Sequence, residues 1–431
     1  MHRVLVNAYA CSPEMGSEPG MGWNWCVHLA KYCELHIITE GEFRDKIERT
    51  VPTLAQGANI HFYYLPVTEK IRRMCWNQGD WRFYYYYRQW QKRALEKGME
   101  ICASQHIDVI HQLNMIGFRE PGLLWKINGP KYVWGPIGGL IDIPVNYLWK
   151  SDKKQAAKTL LKKSISALQI RFSPNVRRAI QRADVLIGSS NSETETIRRL
   201  YGKDVIQMNE TCTTPTSDIR KHEYGNGDSF DIVWVGRFIL TKQLELALRT
   251  MALLNELLQI KLHVLGTGQD EKKYRDLASS LSIDNRCIWH GQMTNQEVQQ
   301  MMSHSDLFFF TSIAEATSTV VLEAISNQLP ILCFDAFGFA SIVDERIGIK
   351  VPLTNPEQSV KDFAEKIEYL YHHREVLVRM SENCQKRVEE LSWDNKAKKM
   401  YELYLNENVR STLVASLAKN VNENVNSREF V

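Results

Sequence analysis

Short β-rich runs alternate with helical patterns almost from end to end of this chain, and the alternation stops once and then starts again. In the first half the runs fall at residues 3–10, 34–39, 59–65, 108–111, 131–134, 184–189 and 205–209. Helical patterns lie between most of them, notably at 23–32, 42–54 and 81–105. Strands joined through helices run parallel, so the pattern predicts a parallel sheet covered by helices on both faces. Residues 211–228, rich in Thr, Pro, Ser, Gly and Asp, read as a linker. The alternation resumes with DIVWVG at 231–236 and continues with strands at 261–266, 286–290, 306–311, 330–334 and 349–351.

An α/β chain of this kind is expected to form two doubly wound, Rossmann-like lobes, 1–215 and 225–391, facing a central cleft. Helix is expected from 356 onward through 405, with a segment at 392–408 completing the first lobe and 409–431 a disordered tail. The length of 431 residues agrees, being too great for one ordinary core. Ligands of such sheets bind beyond the carboxyl ends of the strands, which puts a site in the cleft.

Charge and cysteine usage narrow the function classes. Lys and Arg number 53 against 50 Asp and Glu, a balance that argues against nucleic-acid binding. The nine cysteines are scattered singly, which suits reduced thiols better than a disulfide framework or zinc site. MHRVLVNAYA runs directly into a strand pattern with no signal-peptide cleavage zone, and no run of about 18 apolar residues exists. A cytoplasmic location is expected, peripheral on the inner membrane face if the basic segment described below meets lipid.

The richest segment is EATSTVVLE, 315–323, following the strand DLFFFT. A helix beginning near Ser318 presents unpaired N–H groups and the positive end of its dipole, a seat for phosphate. Glu315 before the helix and Glu323 two turns in can then take hydroxyls on either side. A solvated helix with two acidic residues is the plainer alternative. In VGRFILTK, 235–242, Arg237 and Lys242 lie just beyond a strand, where cations can neutralise a departing diphosphate; ordinary surface residues would look the same. Gly266 and Gly268 follow the next strand and permit close approach to a ligand, although glycines also serve plain turns.

The order VGR…K, HVLGTG, Trp289-His290-Gly291 and Glu-x7-Glu, continued by CFDAFGFASIVDERIGIKV at 333–351, resembles the retaining family 4 glycosyltransferases of GT-B fold. The resemblance implies transfer of a sugar from a nucleotide-diphosphate donor, with retention and without a metal or other cofactor. It implies that Glu323 binds the donor ribose, Glu315 the transferred sugar, and Arg237 and Lys242 the diphosphate. Gly236 and the amides of Ser318, Thr319 and Val320 would assist, with the nucleobase near His290 and Gly291. CSPEMGSEPGMGW, 11–23, is similar to the family's glycine-rich acceptor-side loop, with Gly16, Gly20 and Gly22 approaching the diphosphate; its plainer reading is a flexible connection.

DVIHQLN and VWGPIGG, the latter including Gly138 and Gly139, resemble a subgroup active in bacterial capsule, lipopolysaccharide and exopolysaccharide assembly. Many relatives carry a histidine after the strand at 131–134, where this chain has Trp-Gly-Pro. His111 is a candidate substitute, though a histidine at a strand end is more often packed. The implied acceptor is a saccharide or a lipid-linked saccharide.

Two segments bear on that acceptor. Residues 76–90 hold eight aromatics interleaved with arginine, suited to sugar stacking, to a membrane interface, or simply to packing on the sheet. Residues 150–182 hold ten Lys or Arg and one Asp, with apolar residues at helical spacing; they suit an anionic membrane surface or a solvated basic face. Competing readings are a GT-B nucleotide-sugar epimerase or phosphorylase and a non-catalytic sugar-nucleotide binding protein. A Rossmann dehydrogenase is disfavoured, since no strand is followed by Gly-x-Gly-x-x-Gly.

Overall fold

The computed structural model describes residues 1–77, 80–140, 143–148, 153–213 and 229–405. The expected tail at 409–431 and most of the linker lie outside these residues. The strands of the first sheet are β1 (Arg3–Ala8), β2 (Glu34–Thr39), β3 (Ile60–Tyr64), β4 (Val109–Asn114), β5 (Lys131–Ile137), β6 (Val185–Gly188) and β7 (Ile206–Gln207). Those of the second are β8 (Phe230–Val235), β9 (Ile260–Leu265), β10 (Cys287–Gly291), β11 (Leu307–Phe310), β12 (Ile331–Phe334) and β13 (Gly348–Val351).

Both sheets are parallel among the described residues. Their orders are β3-β2-β1-β4-β5-β6-β7 and β10-β9-β8-β11-β12-β13. Each sheet therefore reverses its direction of growth once, between β1 and β4 and between β8 and β11. At such a switch point the two adjoining loops diverge to opposite faces and leave a crevice.

In the first lobe the helices are α1 (Ser17–Leu29), α2 (Arg44–Thr50), α3 (Glu69–Trp76), α4 (Arg82–Ser104), α5 (Lys153–Phe172), α6 (Pro174–Arg182) and α7 (Asn191–Tyr201). The second lobe adds α8 (Leu244–Leu253), α9 (Glu271–Ser280), α10 (Asn295–Ser303) and α11 (Thr319–Ser326). Three long helices close the described chain: α12 (Pro356–His372), α13 (Arg374–Glu390) and α14 (Trp393–Leu405).

Burial explains these elements. Val4, Leu5, Val6, Ile37 and Ile110 are wholly buried, as strands covered on both faces require. In α4, Phe83, Tyr87, Trp90, Ala94, Gly98 and Ile101 repeat at helical spacing and form the inward stripe. The aromatic segment thus divides: Phe83, Tyr87 and Trp90 are core, whereas Trp76, Trp81, Tyr84 and Tyr85 are exposed.

The lobes exchange pieces. Trp393, Ala397, Met400, Leu403 and Tyr404 of α14 join the first lobe's core, with Trp393 edge-on to Trp25 at 5.7 Å. In return Tyr147 is buried in the second lobe's core, its hydroxyl 2.6 Å from Ser359 Oγ and its ring edge-on to Phe334.

Several expected boundaries move. The helix expected at 23–32 begins six residues earlier, at Ser17, because Pro19 falls in a first turn, where its missing N–H costs nothing. The helix expected at 42–54 holds only for Arg44–Thr50 before Pro52 tightens it to a 3-10 turn. The strand at 108–111 extends to Asn114, and the one at 205–209 shrinks to Ile206–Gln207.

Candidate active site

The second lobe's switch point assembles the predicted cations and carboxylates from two loops. After β8, Gly236 donates its N–H to Leu265 O at 3.0 Å, and Phe238 donates to Thr267 O at 3.0 Å. Phe238 is 2% exposed and packs edge-on against Trp289 and Tyr274. With Phe238 anchored inward, Arg237 is turned out. Its guanidinium is exposed, with no hydrogen-bond or ion-pair partner among the described residues.

The backbone around Lys242 is stitched to the end of β11. Thr311 Oγ1 donates to Lys242 O at 2.8 Å, Ser312 Oγ donates to Thr241 O at 3.1 Å, and Ile313 N donates to Thr241 O at 2.8 Å. The Lys242 ammonium is then ion-paired with Glu315, both side chains being mostly buried. Ser312 Oγ lies 3.2 Å from the same Glu315 oxygen, an alternative acceptor for its one hydroxyl proton, and the ammonium stands 5.6 Å from the Phe310 ring centre.

Ser318 opens α11 in extended conformation, and its side chain makes no capping bond. The amides of Ser318, Thr319 and Val320 have no acceptor among the described residues. A helix start without a side-chain cap keeps its N–H groups available to an anion. Little more than a turn on, Glu323 accepts from Asn295 Nδ2 at 3.3 Å, and burial raises its carboxyl above the ordinary value. Glu323 thus faces the start of α10, and the first turn of α11 lies between Glu315 and Glu323.

The glycines differ in what they do. Gly266, at φ +131°, would place a Cβ 2.0 Å from Gly236 O, and Gly268 one 2.7 Å from Phe238 Cβ. These two hold the loops after β8 and β9 against each other. Gly291, at φ +71°, has open space around it, and its carbonyl accepts from Gly266 N at 2.8 Å. His290 Nε2 lies 2.9 Å from His263 Nδ1, and His263 Nε2 lies 3.0 Å from Asp231 Oδ1. Burial and then the neighbouring His263 lower the His290 pKa.

On the first lobe the expectations need correction. Gly20 and Gly22 sit inside α1, not in a loop. A Cβ would come 1.9 Å from Met15 O at Gly20 and 2.4 Å from Ala10 O at Gly22, so both serve packing. Gly16 precedes the helix and is open. His111 is fully buried, with Nδ1 at 2.6 Å from Tyr404 Oη and Nε2 at 2.7 Å from Gly135 O. Its pKa is lowered to about 4 by burial. A neutral ring donating to the carbonyl and accepting from the tyrosine uses both nitrogens and leaves none for substrate. Gly138 exchanges backbone bonds with Ile116 and Phe118, and Gly139 lies at φ +90° beside Phe118 and Arg119.

That segment reveals carboxylates that sequence reading did not single out. Glu18, in the first turn of α1, accepts from Ile116 N at 2.9 Å; burial raises its carboxyl, and the charge of Glu210 raises it further. Glu210 accepts from Thr317 Oγ1 at 2.6 Å, and burial raises it too, with Glu315 among the contributors. Asn209 Nδ2 donates to Gly338 O at 3.2 Å and to Thr317 Oγ1 at 3.3 Å, while Lys396 Nζ donates to Asn209 O at 2.8 Å. The residues leaving the first sheet are thus bonded to the turn that leads into α11.

Among the described residues no group of three or more His, Cys, Asp or Glu is placed to hold a metal. A cavity of about 1590 Å³ lies elsewhere, beside β6, β7 and α14, and is lined by none of the predicted site residues.

Residues 216–387 match the family model described as "Glycosyl transferases group 1". The matched stretch includes all six strands of the second sheet and the cation–carboxylate cluster. An uncharacterized glycosyltransferase of Methanocaldococcus jannaschii is 27% identical over 175 residues, 40% of this chain and 44% of that protein. The chain spans less than half the length of the curated relatives it matches.

Among solved structures, the apo lipopolysaccharide outer core galactosyltransferase WaaB aligns with TM-score 0.60 at 14% identity, over 94% of this chain and 100% of that one. Anabaena HepE in complex with UDP aligns with TM-score 0.56 at 14% identity, over 94% and 99%. The two-lobed GT-B fold is therefore shared over both lobes.

Proposed function

We propose that the chain is a glycosyltransferase that moves a sugar from a nucleoside diphosphate to a saccharide or lipid-linked acceptor in bacterial surface-polysaccharide assembly. The observation that carries this reading is Lys242 paired with Glu315 directly before the uncapped start of α11, with Arg237 unpaired on the same loop as Lys242. The shared group 1 domain, and a fold held in common with a galactosyltransferase and a UDP-bound protein, support a nucleotide donor.

In the proposed reaction Lys242, Arg237 and the amides of Ser318, Thr319 and Val320 hold the diphosphate. Glu315 and Glu323 take hydroxyls of the transferred sugar and of the ribose. The bond from the sugar's anomeric carbon to the diphosphate oxygen breaks, and the acceptor oxygen bonds to that carbon. The acceptor proton passes to the departing phosphate oxygen. Fixed cations and amides stabilise the developing negative charge, the task a metal performs elsewhere. Reaction on the leaving-group face gives retention, as in family 4. The stereochemistry is read by NMR of the first product formed.

The basic segment fits a lipid-linked acceptor. In α5, Leu161, Ile165, Leu168 and Phe172 share one face by their spacing and are 44–63% exposed, with Lys158 and Arg171 flanking them. Ile170, buried at 2%, marks the opposite, inward face. An apolar stripe edged by cations suits an anionic bilayer surface. No helix among the described residues is long and apolar enough to cross a membrane.

The deciding experiment incubates the protein with UDP-, GDP- and ADP-sugars, with and without saccharide acceptors, in the presence of EDTA. Acceptor-dependent release of nucleoside diphosphate supports the proposal. Conversion of donor without any acceptor would point to an epimerase, and no turnover with any donor would reject the reading.

A further inference from the structure

Beside Glu18, a cavity of about 270 Å³ opens in the first lobe between the loop after β1, the loop after β2 and the start of α4. Its size is near the lower end for small-molecule pockets, room for one ring rather than a chain of them. Its walls combine aromatic faces with carboxylates. Tyr9, Phe43, Trp76, Phe83 and Tyr84 supply the rings, and Trp76 stands 50% exposed with Phe43 edge-on to it at 6.3 Å.

Four carboxylates line the same space, Glu18, Glu40, Glu42 and Asp80, and among the described residues no Lys, Arg or His does. Two of the four are neutralised from behind: Glu40 by Arg72 at 2.8 Å and Asp80 by Arg82 at 2.7 Å. Among the described residues Glu42 accepts only from Trp76 Nε1, at 2.9 Å, and Glu18 only from the Ile116 amide. Both therefore keep acceptor capacity toward the cavity. The negative field is felt by Cys75, whose thiol is pushed up to about 12 by burial first and then by Glu18, Glu42 and Glu40.

We infer that this cavity seats one saccharide unit of the acceptor and selects for uncharged sugars, with Glu18 and Glu42 accepting hydroxyl protons and Trp76 stacking on the ring. The inference rests on the glycosyltransferase reading only for the word acceptor. The site itself is defined by stacking surface and hydroxyl acceptors, the two elements a neutral polyol needs. A sugar bearing a carboxylate would meet unpaired like charge in a partly buried space and be rejected.

The test is saturation-transfer NMR on the full-length protein with a mixture of methyl glucoside, methyl galactoside and methyl glucuronide. Nucleoside diphosphate binding is followed separately by calorimetry. The expected result is signal from at least one neutral glycoside and none from the glucuronide. Trp76→Ala should weaken the neutral glycoside roughly 3- to 10-fold, the scale of one lost aromatic contact. Glu42→Gln should admit the glucuronide.

Because both side chains are exposed, the variants are expected to fold, and unchanged nucleotide binding verifies it. Equal binding of glucuronide and glucoside by the unmodified protein would overturn the inference, as would neutral-sugar signals unaffected by both substitutions. Absence of nucleotide binding with sugar selectivity intact would instead reject the glycosyltransferase reading alone.

Discussion

The two lobes share a strand order, yet their switch points carry opposite chemistry. Beyond β8 and β11 stand Arg237, Lys242 and the uncapped start of α11, a place built for negative charge. Beyond β1 and β4 stand Glu18 and its carboxylate neighbours among aromatic rings, a place that repels negative charge and accepts hydroxyls. The same topology supplies the crevice in each case, and the side chains on the two diverging loops decide what enters it. A cleft with one anion-binding and one hydroxyl-binding wall suits two unlike substrates held face to face.

The largest expected effect breaks the second-lobe half of that comparison. Lys242→Ala removes a cation from the proposed diphosphate seat and leaves Glu315 unpaired. Transfer measured as nucleoside diphosphate release should fall roughly 100- to 1,000-fold, about 3–4 kcal/mol, at a temperature where both proteins are folded, while the unpaired carboxylate lowers the melting temperature.

Next in size is Gly266→Ala, which strikes the scaffold beneath the same wall. At φ +131° the new residue carries a backbone cost of about 1–3 kcal/mol. The Cβ contact with Gly236 O comes on top of it. Chemical denaturation should show the loss directly.

Tyr404→Phe sharpens the contrast from the first lobe. It leaves His111 Nδ1 buried without a partner, at about 1–2 kcal/mol of stability. The proposed transfer should be unaffected in the folded variant, since His111 is fully buried. A selective loss of turnover in this variant would restore His111 to the reacting groups.

The smallest effect concerns pH. Glu18 and Glu210 both have raised carboxyls, so these two groups hold more protons in the native state than in the unfolded chain above about pH 4.3, the ordinary glutamate value. Their contribution to stability therefore falls as pH rises from there through the native values. Glu18→Gln should flatten part of that limb in thermal melts across the range. A steeper limb would mean that Glu18 is held ionised.

Which parts of this were legible in the sequence follows from how local the signals are. The strands of both sheets and the helix at Ser318 show as short contiguous patterns, and the second lobe's motifs lie within a few residues of the strand ends that present them. Glu18 gave no comparable signal. Its meaning comes from Ile116, 98 positions away, and from Glu210, which looked like one more polar residue at the head of a linker.

Gly20 and Gly22 read as loop residues because the segment 11–23 is rich in glycine, whereas α1 starts at Ser17 with Pro19 in a first turn, where proline is well tolerated. His111 looked available only because its partner, Tyr404, is 293 residues distant. Tyr147 likewise lies in the first half of the chain yet packs in the second lobe's core. Contacts of that range are fixed by tertiary packing alone.

The central claim is that the second lobe's loops hold a nucleoside diphosphate through Arg237, Lys242 and the first amides of α11. Calorimetric titration of UDP, GDP and ADP into the wild-type protein and the Arg237→Ala/Lys242→Ala double variant tests it most directly. The account predicts saturable binding of at least one nucleotide and at least about tenfold weakening in the double variant, the scale of one lost charge-assisted contact. Binding of none of the three, or equal affinity in both proteins, would contradict it.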